Sequence, residues 1–499
     1  MFTFNMFSET ANINNIIAQG SKTRLTDKQF FELEITKWKS SPKRKAMIAG
    51  EKYYVGDHDI LKRKRTVIGK DGMLQEVENL PNNKIVDNQY SKMVDQKANY
   101  LLGKPFTLNT ENKQYQEVLK KVFNKRFHRL LKNLGEDSLN GGIGWLYPYY
   151  NEAGELTFKK FEPYEILPFW TDAAHTILDC AVRLYEVQGY EGKVEKIIEK
   201  VEIYTTHGIE RYVLQNGSLI LDVENPSSTH MVLIDAEGNE TGMNWQKIPL
   251  IPFKYNNKEL PLINRVKSLQ DGINTILSDF ENNMQEDARN TILVIKNLDG
   301  TNLAEFRHNL ALYGAVKVKT VDGSAGDVDT LTVEVNAENY KAILELFKKA
   351  LIENARGYDA KDDRMNNNPN QMNIQSMYSD IDLDANGMET EYQASFEELL
   401  WFINIHLANS GAGNFDGQEV EVIFNRDILI NESESIENCA KSEGILSNET
   451  IIEQHPWVTD AEKELQRVKD EKQTEMDDYK NSFNPVKPSV DEGGDGNAQ

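Results

Sequence analysis

The chain has 499 residues, with 79 acidic against 56 basic side chains, a formal net charge of −23, 39% hydrophobic residues and 27% charged ones. Such a length suits about two to four domains, and the apolar content excludes global disorder. A protein this acidic does not grip nucleic acid over a broad surface, because that affinity comes from neutralised phosphates, though local basic patches stay open.

Two cysteines, Cys180 and Cys439, stand far apart and in no ligand spacing, so neither a disulfide framework nor a zinc site is indicated, and folding inside the cell fits. The first eleven residues lack a basic n-region, and no apolar run approaches the roughly eighteen residues of a membrane span, which argues against secretion and membrane insertion.

In chain order, helical periodicity covers 27–40 and 89–102, where Val94, Ala98, Leu101 and Leu102 recur at helical spacing. Another helix is expected over 113–139. After Gly141-Gly142 the pattern turns to strands, at 145–150, 156–161, 182–187, 200–205 and 209–214, with Asn216-Gly217 as a hairpin turn. Residues 248–253, with Pro249 and Pro252, read as an extended connector rather than an interior strand.

From Leu262 one apolar stripe runs through Val266, Leu269, Ile273, Ile276, Phe280 and Met284, which predicts a long helix over 262–286, about 37 Å in length. A compact α/β insert follows, with strands at 292–295, 315–319 and 330–335 and a helix at 302–312. A second long helix is expected over 337–356. Residues 359–373 are rich in asparagine and broken by Pro369, which predicts a flexible loop. A third long helix is expected over 376–408, a strand at 419–424 and helices within 434–480, one started by Ser447. The acidic tail after about 482 reads as disordered. The fold class is therefore α+β.

Enzyme motifs are missing. There is no P-loop and no H-E-x-x-H, and the eight histidines never pair at ligand spacing. Asp380, Asp382, Asp384 and Glu391 fall at positions one, three, five and twelve of a calcium loop, but Ala385 stands where the sharp turn wants glycine, and the same residues fit a continuous helix. Asp380, Asp382 and Asp384 are also the only candidate carboxylates for a metal-dependent nuclease, and a helix would scatter them around its axis. Residues 43–65 hold eight cations against three acids. The cluster Lys62, Arg63, Lys64 and Arg65 suits either phosphate contact or a solvated, subunit-facing edge, and the lack of interleaved aromatics favours the edge.

Four stretches taken in order, Tyr53-Tyr54-Val55-Gly56-Asp57-His58-Asp59-Ile60, then residues 88–106, the Ile248-Pro249-Leu250-Ile251-Pro252-Phe253 run and Asp382-Leu383-Asp384-Ala385-Asn386, resemble the portal proteins of tailed bacteriophages, the type carried by long-tailed phages of Gram-positive hosts. The likeness covers nearly the whole chain. It implies a portal fold: a mixed α/β wing at 1–261 with 410–431, stem helices at 262–290 and 337–357, a small α/β clip at 291–336, a tunnel loop at 358–375, a long helix at 376–409, a helical crown at 432–480 and an acidic tail at 481–499. It further implies a homo-oligomeric ring, usually a dodecamer, at one capsid vertex of the virion, assembled in the host cytoplasm. Double-stranded DNA would pass through its axis, and its partners would be the terminase large subunit, head-completion or adaptor proteins, and the scaffolding and major capsid proteins, with no membrane, no cofactor and no catalytic group.

On that likeness, Lys361, Arg364, Asn366, Asn367, Asn368 and Asn370 would face the DNA, Asp299 and Arg307 would lie on the terminase-docking clip, and Leu262, Val266, Leu269, Ile273 and Phe280 would pack the stem. A plain surface linker also suits the composition of 359–373. The competing functions are a metal-dependent nucleic-acid enzyme and a non-viral oligomeric scaffold.

Overall fold

The structure, a computed structural model, describes residues 26–68, 73–78, 80–234, 238–287, 291–296, 327–332, 337–359, 371–426, 432–458 and 461–482. In chain order the helices and strands are α1 (Asp27–Ser40), α2 (Pro42–Tyr54), β1 (Thr66–Ile68), β2 (Leu74–Glu76), α3 (Gln89–Leu102), β3 (Thr107–Asn109), α4 (Lys113–Val122) and α5 (Lys125–Gly141). Then come β4 (Ile143–Tyr150), β5 (Leu156–Phe161), β6 (Ile166–Trp170), β7 (Leu178–Glu191), β8 (Val194–Thr205), β9 (Gly208–Gln215), β10 (Ser218–Leu221), β11 (Met231–Ile234), β12 (Glu240–Met243) and β13 (Ile251–Lys254). The chain continues with α6 (Ile263–Asp287), β14 (Thr291–Lys296), β15 (Asp327–Thr332), α7 (Ala337–Ala355), α8 (Gln371–Asn409), β16 (Glu421–Ile423), α9 (Glu432–Lys441), α10 (Asn448–Gln454) and α11 (Ala461–Ser482). Two compact units result: Met1–Asp359 with Asp380–Asp427, and Ala360–Ser379 with Ile428–Gln499. The α+β class holds.

Local chemistry explains the element ends. Thr26 and Gln29 form a reciprocal capping box that starts α1. Asn216 and Gly217 both take positive φ, 50° and 79°, as a two-residue hairpin turn between β9 and β10 demands. In the first unit the strands β10-β9-β8-β7-β6 form an antiparallel meander. Helix α1 closes its core: Phe31 and Ile35 are each 1% exposed, and burying such a side chain stabilises by about 1.5–3 kcal/mol. A second sheet, β13-β4-β5, lies under α5 and α8.

Four expectations change. The helix expected over 113–139 is two helices, because Asn124 turns its side chain back to accept from the N–H groups of Arg126 and Phe127 and caps α5. The apolar spacing carries on across this break, since Phe123 is buried against Phe127 and Phe106.

The connector at 248–253 contains a real strand, β13, buried and paired with β4 from Ile251 to Lys254. Pro252 is tolerated there because β13 is an edge strand; its free side faces α8, where the Pro252 carbonyl accepts from Ser395 Oγ at 2.6 Å. Helix α8 starts at Gln371, just past Pro369, not at 376, since Ile374 and Met377 extend the stripe of Ile381 toward the N-terminus.

In the insert, β14 pairs with β15 from Thr291↔Thr332 to Lys296↔Asp327, so the last strand begins at 327 rather than 330, matching the full length of β14. The helix at 302–312, the strand at 315–319 and the tail after 482 lie outside the described residues.

In the second unit, Ser447 caps α10 by accepting from Thr450 N at 3.2 Å. Among the described residues, no helix is long and apolar enough to cross a membrane.

Candidate functional site

Helix α6 has two unlike faces. On one, Leu262, Val266 and Ile273 are fully buried, Leu269 and Phe280 are half-buried, and Met284 is 55% exposed. This face meets α7, which runs antiparallel: the Phe280 ring lies 5.1 Å from Tyr340, and Asn283 donates to Tyr340 Oη at 2.9 Å. Gly272 permits the approach, because a Cβ there would stand 2.6 Å from Phe347.

The other face is polar and equally dry. Gln270, Asn274, Ser278 and Asn282 are each 0% exposed. Their side chains accept the backbone N–H groups of Tyr90 (2.9 Å), Asp87 (3.0 Å), Ile85 (2.9 Å) and Asn83 (2.7 Å) in turn. From Asp87 to Asn83 the spacing explains the match: four helical residues rise about 6 Å, and two residues of extended chain advance about 6.6 Å. One face of a helix thus serves as the partner strand for residues 83–87, and Gln270 returns a bond to the Asp87 carbonyl at 2.7 Å.

His58 closes this ladder. Its Nδ1 accepts from Asn274 Nδ2 at 2.7 Å, its Nε2 donates to the Tyr53 carbonyl at 3.0 Å, and its ring stacks on Tyr53. Burial holds its pKa below the ordinary histidine value, which keeps the ring neutral. Tyr53 in turn donates to Asp271 at 2.5 Å, and Lys267 bridges Asp59 and Asp271 at 2.7 and 2.8 Å.

At the start of α6 a buried ion cluster centres on Asp384 of α8, which is 7% exposed. Oδ2 takes Lys97 Nζ at 2.8 Å and Tyr255 Oη at 2.5 Å, while Oδ1 takes Arg265 at 2.9 Å and Arg356 at 3.4 Å. Burial alone would raise the Asp384 pKa, but Lys97, Tyr255 and Arg265 together reverse it and hold the carboxyl below its usual range. Burial is also the dominant influence on Lys97, lowering its ammonium against the pull of Asp384.

Arg356 ends α7 with φ at +54°, in the left-handed cap position where glycine is usual. Gly357 N bonds the Ile352 carbonyl at 2.9 Å and Arg356 N the Glu353 carbonyl at 3.0 Å, which completes a Schellman cap. Arginine occupies this strained position because its guanidinium reaches Asp384 and its carbonyl accepts from Lys97 Nζ at 3.0 Å. Gln96 then clamps Tyr358, accepting from its N–H at 3.0 Å and donating to its carbonyl at 2.9 Å. The chain is therefore tied to α3 at the point where it leaves toward 360–370. Nearby, Arg426 binds Asp382, Asn386 and Glu389 of α8, and Tyr100 donates to Asp382 at 3.0 Å.

The geometry sorts the candidates. Lys361, Arg364, Asn366, Asn367, Asn368 and Asn370, together with Asp299 and Arg307, lie outside the described residues. Asp380, Asp382 and Asp384 share a continuous helix and are respectively exposed, half-buried and buried. The oxygens of Asp384 are taken by cations and a phenol, so these residues do not converge on an ion. Of the basic cluster, Arg63 pairs with Asp279 at 2.5 Å, Lys64 with Glu76 at 2.7 Å and Lys62 with Asp59 at 3.8 Å, which places these three in contacts within the chain.

Sequence reasoning missed the polar ladder, whose signal was uncharged polar residues at i, i+4, i+8 and i+12. It also cast Asp384 as a decoy ligand when it is the hub of an ion network. All four of the stretches singled out in the sequence meet around α6 and α8, and each contributes packing or hydrogen bonds.

The phage portal protein family of the SPP1 Gp6-like type matches residues 39–478. The chain is 27% identical over 471 residues to the portal protein of Bacillus phage SPP1, covering 93% of this chain and 90% of that protein. It is 26% identical over 457 residues to the portal protein of Clostridium phage phiCD119, covering 88% of this chain and 96% of that one. With the family matched over most of its length, and with its distinctive stretches joined in one network around two long helices, the chain belongs to the SPP1 Gp6-like family of phage portal proteins.

Proposed function

We propose that the chain assembles head to tail into a ring, of twelve copies in the virion, and serves as the conduit through which double-stranded DNA enters and leaves the capsid at one vertex. The observation that carries this is the family match over 39–478. Helices α6 and α7 are the stem, residues 291–336 the clip that docks the terminase large subunit and later the head-completion proteins, and 359–373 the segment that approaches DNA. The tie of Arg356 and Tyr358 to α3 supports that last assignment, because a segment pushed by a moving duplex needs fixed ends.

A net charge of −23 suits a conduit, since a strongly cationic lining would hold DNA by counterion release. Within 359–373, Lys361 and Arg364 are offset by Asp359, Asp362 and Asp363, which gives weak contact without sequence preference. The role needs no catalytic group, and the scattering of Asp380, Asp382 and Asp384 around one helix supports a structural part.

Electron-microscopy class averages of the purified full chain test the proposal. Closed rings with an axial channel, together with rescue of a portal-deficient phage, are the expected result. Monomers that cleave DNA in the presence of divalent metal would overturn it in favour of an enzyme.

A further inference from the structure

A cleft of about 720 Å³ opens in the first unit between the ends of β7 and β8 and one face of α8. Asp179, Glu397, Glu398, Lys247, His207 and Trp401 are among its lining residues. Its charge is unbalanced. Lys247, its one ammonium, sits over the Trp401 ring at 4.8 Å. Asp179 Oδ2 is buried and has no hydrogen-bond partner among the described residues. Burial raises Asp179 to about 6, and raises Glu398 to about 7 against the opposing effect of Lys247. The site is thus a concave, partly dry pocket with an aromatic wall and three carboxylates against one ammonium.

The complementary feature lies on the same chain. At the corner between α4 and α5, Lys121, Lys125, Arg126 and Arg129 are all exposed, and none forms an ion pair among the described residues. The corner is held to α8 through Phe123 and Phe127, whose rings lie 5.8 and 6.3 Å from Phe396. Ala394, Glu397, Glu398 and Trp401 of the cleft sit about 100–200° around the same helix from Phe396, at about 100° per residue. Cationic corner and acidic cleft therefore flank one stretch of α8 on opposite faces. Such a pair cannot satisfy itself within the unit, whereas two copies related head to tail bring corner to cleft, and repetition closes a ring.

We propose that the cleft receives the basic corner of a neighbouring copy of this chain, with Arg126 or Arg129 entering between Asp179, Glu398 and the Trp401 ring. This rests on the ring proposed above and names the surfaces that make it. Guanidinium suits the pocket better than ammonium because it can pair with a carboxylate on its edge and stack on an indole on its face.

Charge reversal with mixing is the test. One full-length variant carries Ala394→Lys with Glu397→Lys, and the other Arg126→Glu with Arg129→Glu; all four positions are exposed. By mass photometry, each variant alone should need at least about tenfold more protein than wild type to form rings. An equimolar mixture should assemble again, because each reversed cleft then meets a reversed corner and each native cleft a native corner. Recovery on mixing also shows that both variants fold.

Rings from either variant alone at wild-type concentrations overturn the proposal. So do weakened variants that the mixture does not rescue, and so does a corner variant that forms rings normally but loses DNA packaging, which assigns the corner to DNA instead. Wild-type chain that forms no ring at all overturns the conduit reading and this proposal with it.

Discussion

Asp384 and Asp179 are carboxylates of the same unit, both drawn out of water, and they meet opposite fates. Asp384 is surrounded by Lys97, Arg265 and Arg356 and accepts from Tyr255, so its charge is neutralised within the chain. Asp179 buries an oxygen that has no hydrogen-bond partner among the described residues. A buried charge with its partners in place is architecture; one lacking partners at the mouth of a cleft marks where another molecule belongs. Asp384 ties α3, α6, α7 and α8 together at the exit toward 360–370. Asp179 does nothing comparable for the single chain.

The sharpest way to break this contrast is to remove Asp384. Asp384→Ala leaves Lys97 buried without its carboxylate, and the cost should be about 3–5 kcal/mol, read by chemical denaturation of the full chain. A loss below about 1 kcal/mol would show the cluster to be solvent-relaxed rather than buried.

Next comes acid. His230 is 8% exposed and accepts from Trp245 N at 3.2 Å, and burial pushes its pKa down to about 4. The unfolded chain takes up this proton near 6.5, whereas the folded chain resists until about 4. Stability is therefore complete above about 6.5 and falls as pH drops through that window, by an amount on the order of 3 kcal/mol. His230→Asn, which keeps an acceptor for Trp245, should flatten the pH dependence of Tm between those limits; an unchanged slope would place the acid sensitivity elsewhere.

The ladder on α6 gives a smaller effect. Asn274→Leu removes the acceptor for the half-buried Asp87 N–H and the donor to the Nδ1 of the buried His58, leaving both unpaired, and should cost about 2 kcal/mol with faster hydrogen exchange at Asp87.

Smallest is Asp179→Asn, which removes an unpaired charge and should leave the Tm of the isolated chain unchanged or slightly raised at neutral pH, while weakening ring assembly. Opposite signs in the two measurements sharpen the comparison, and a marked loss of Tm would mean that Asp179 has a structural partner after all.

Elements whose ends are set by local chemistry were legible in the sequence. The periodicity over 27–40 announces α1, Asn216-Gly217 announces a hairpin, and the stripe from Leu262 announces α6. The break at Asn124 was not legible, because apolar spacing runs through it and only the turn of one side chain divides the helices. Nor was the network around Asp384: Lys97 lies 287 positions away, and nothing local distinguishes a carboxylate that will be buried from one that will be solvated. The polar ladder escaped a search for apolar stripes, since its residues are buried by hydrogen bonding to extended backbone rather than by hydrophobicity. The channel and clip candidates rest on family likeness, as they fall outside the described residues.

The central claim, a conduit whose tied segment meets the passing duplex, is tested most directly by placing a photo-crosslinker at Asn367 through Asn367→Cys and irradiating during packaging. DNA crosslinked to this position, and not to a control label at the exposed Lys92→Cys on α3, is the result we predict. Packaging with DNA crosslinks at the control and none at 367 would contradict it.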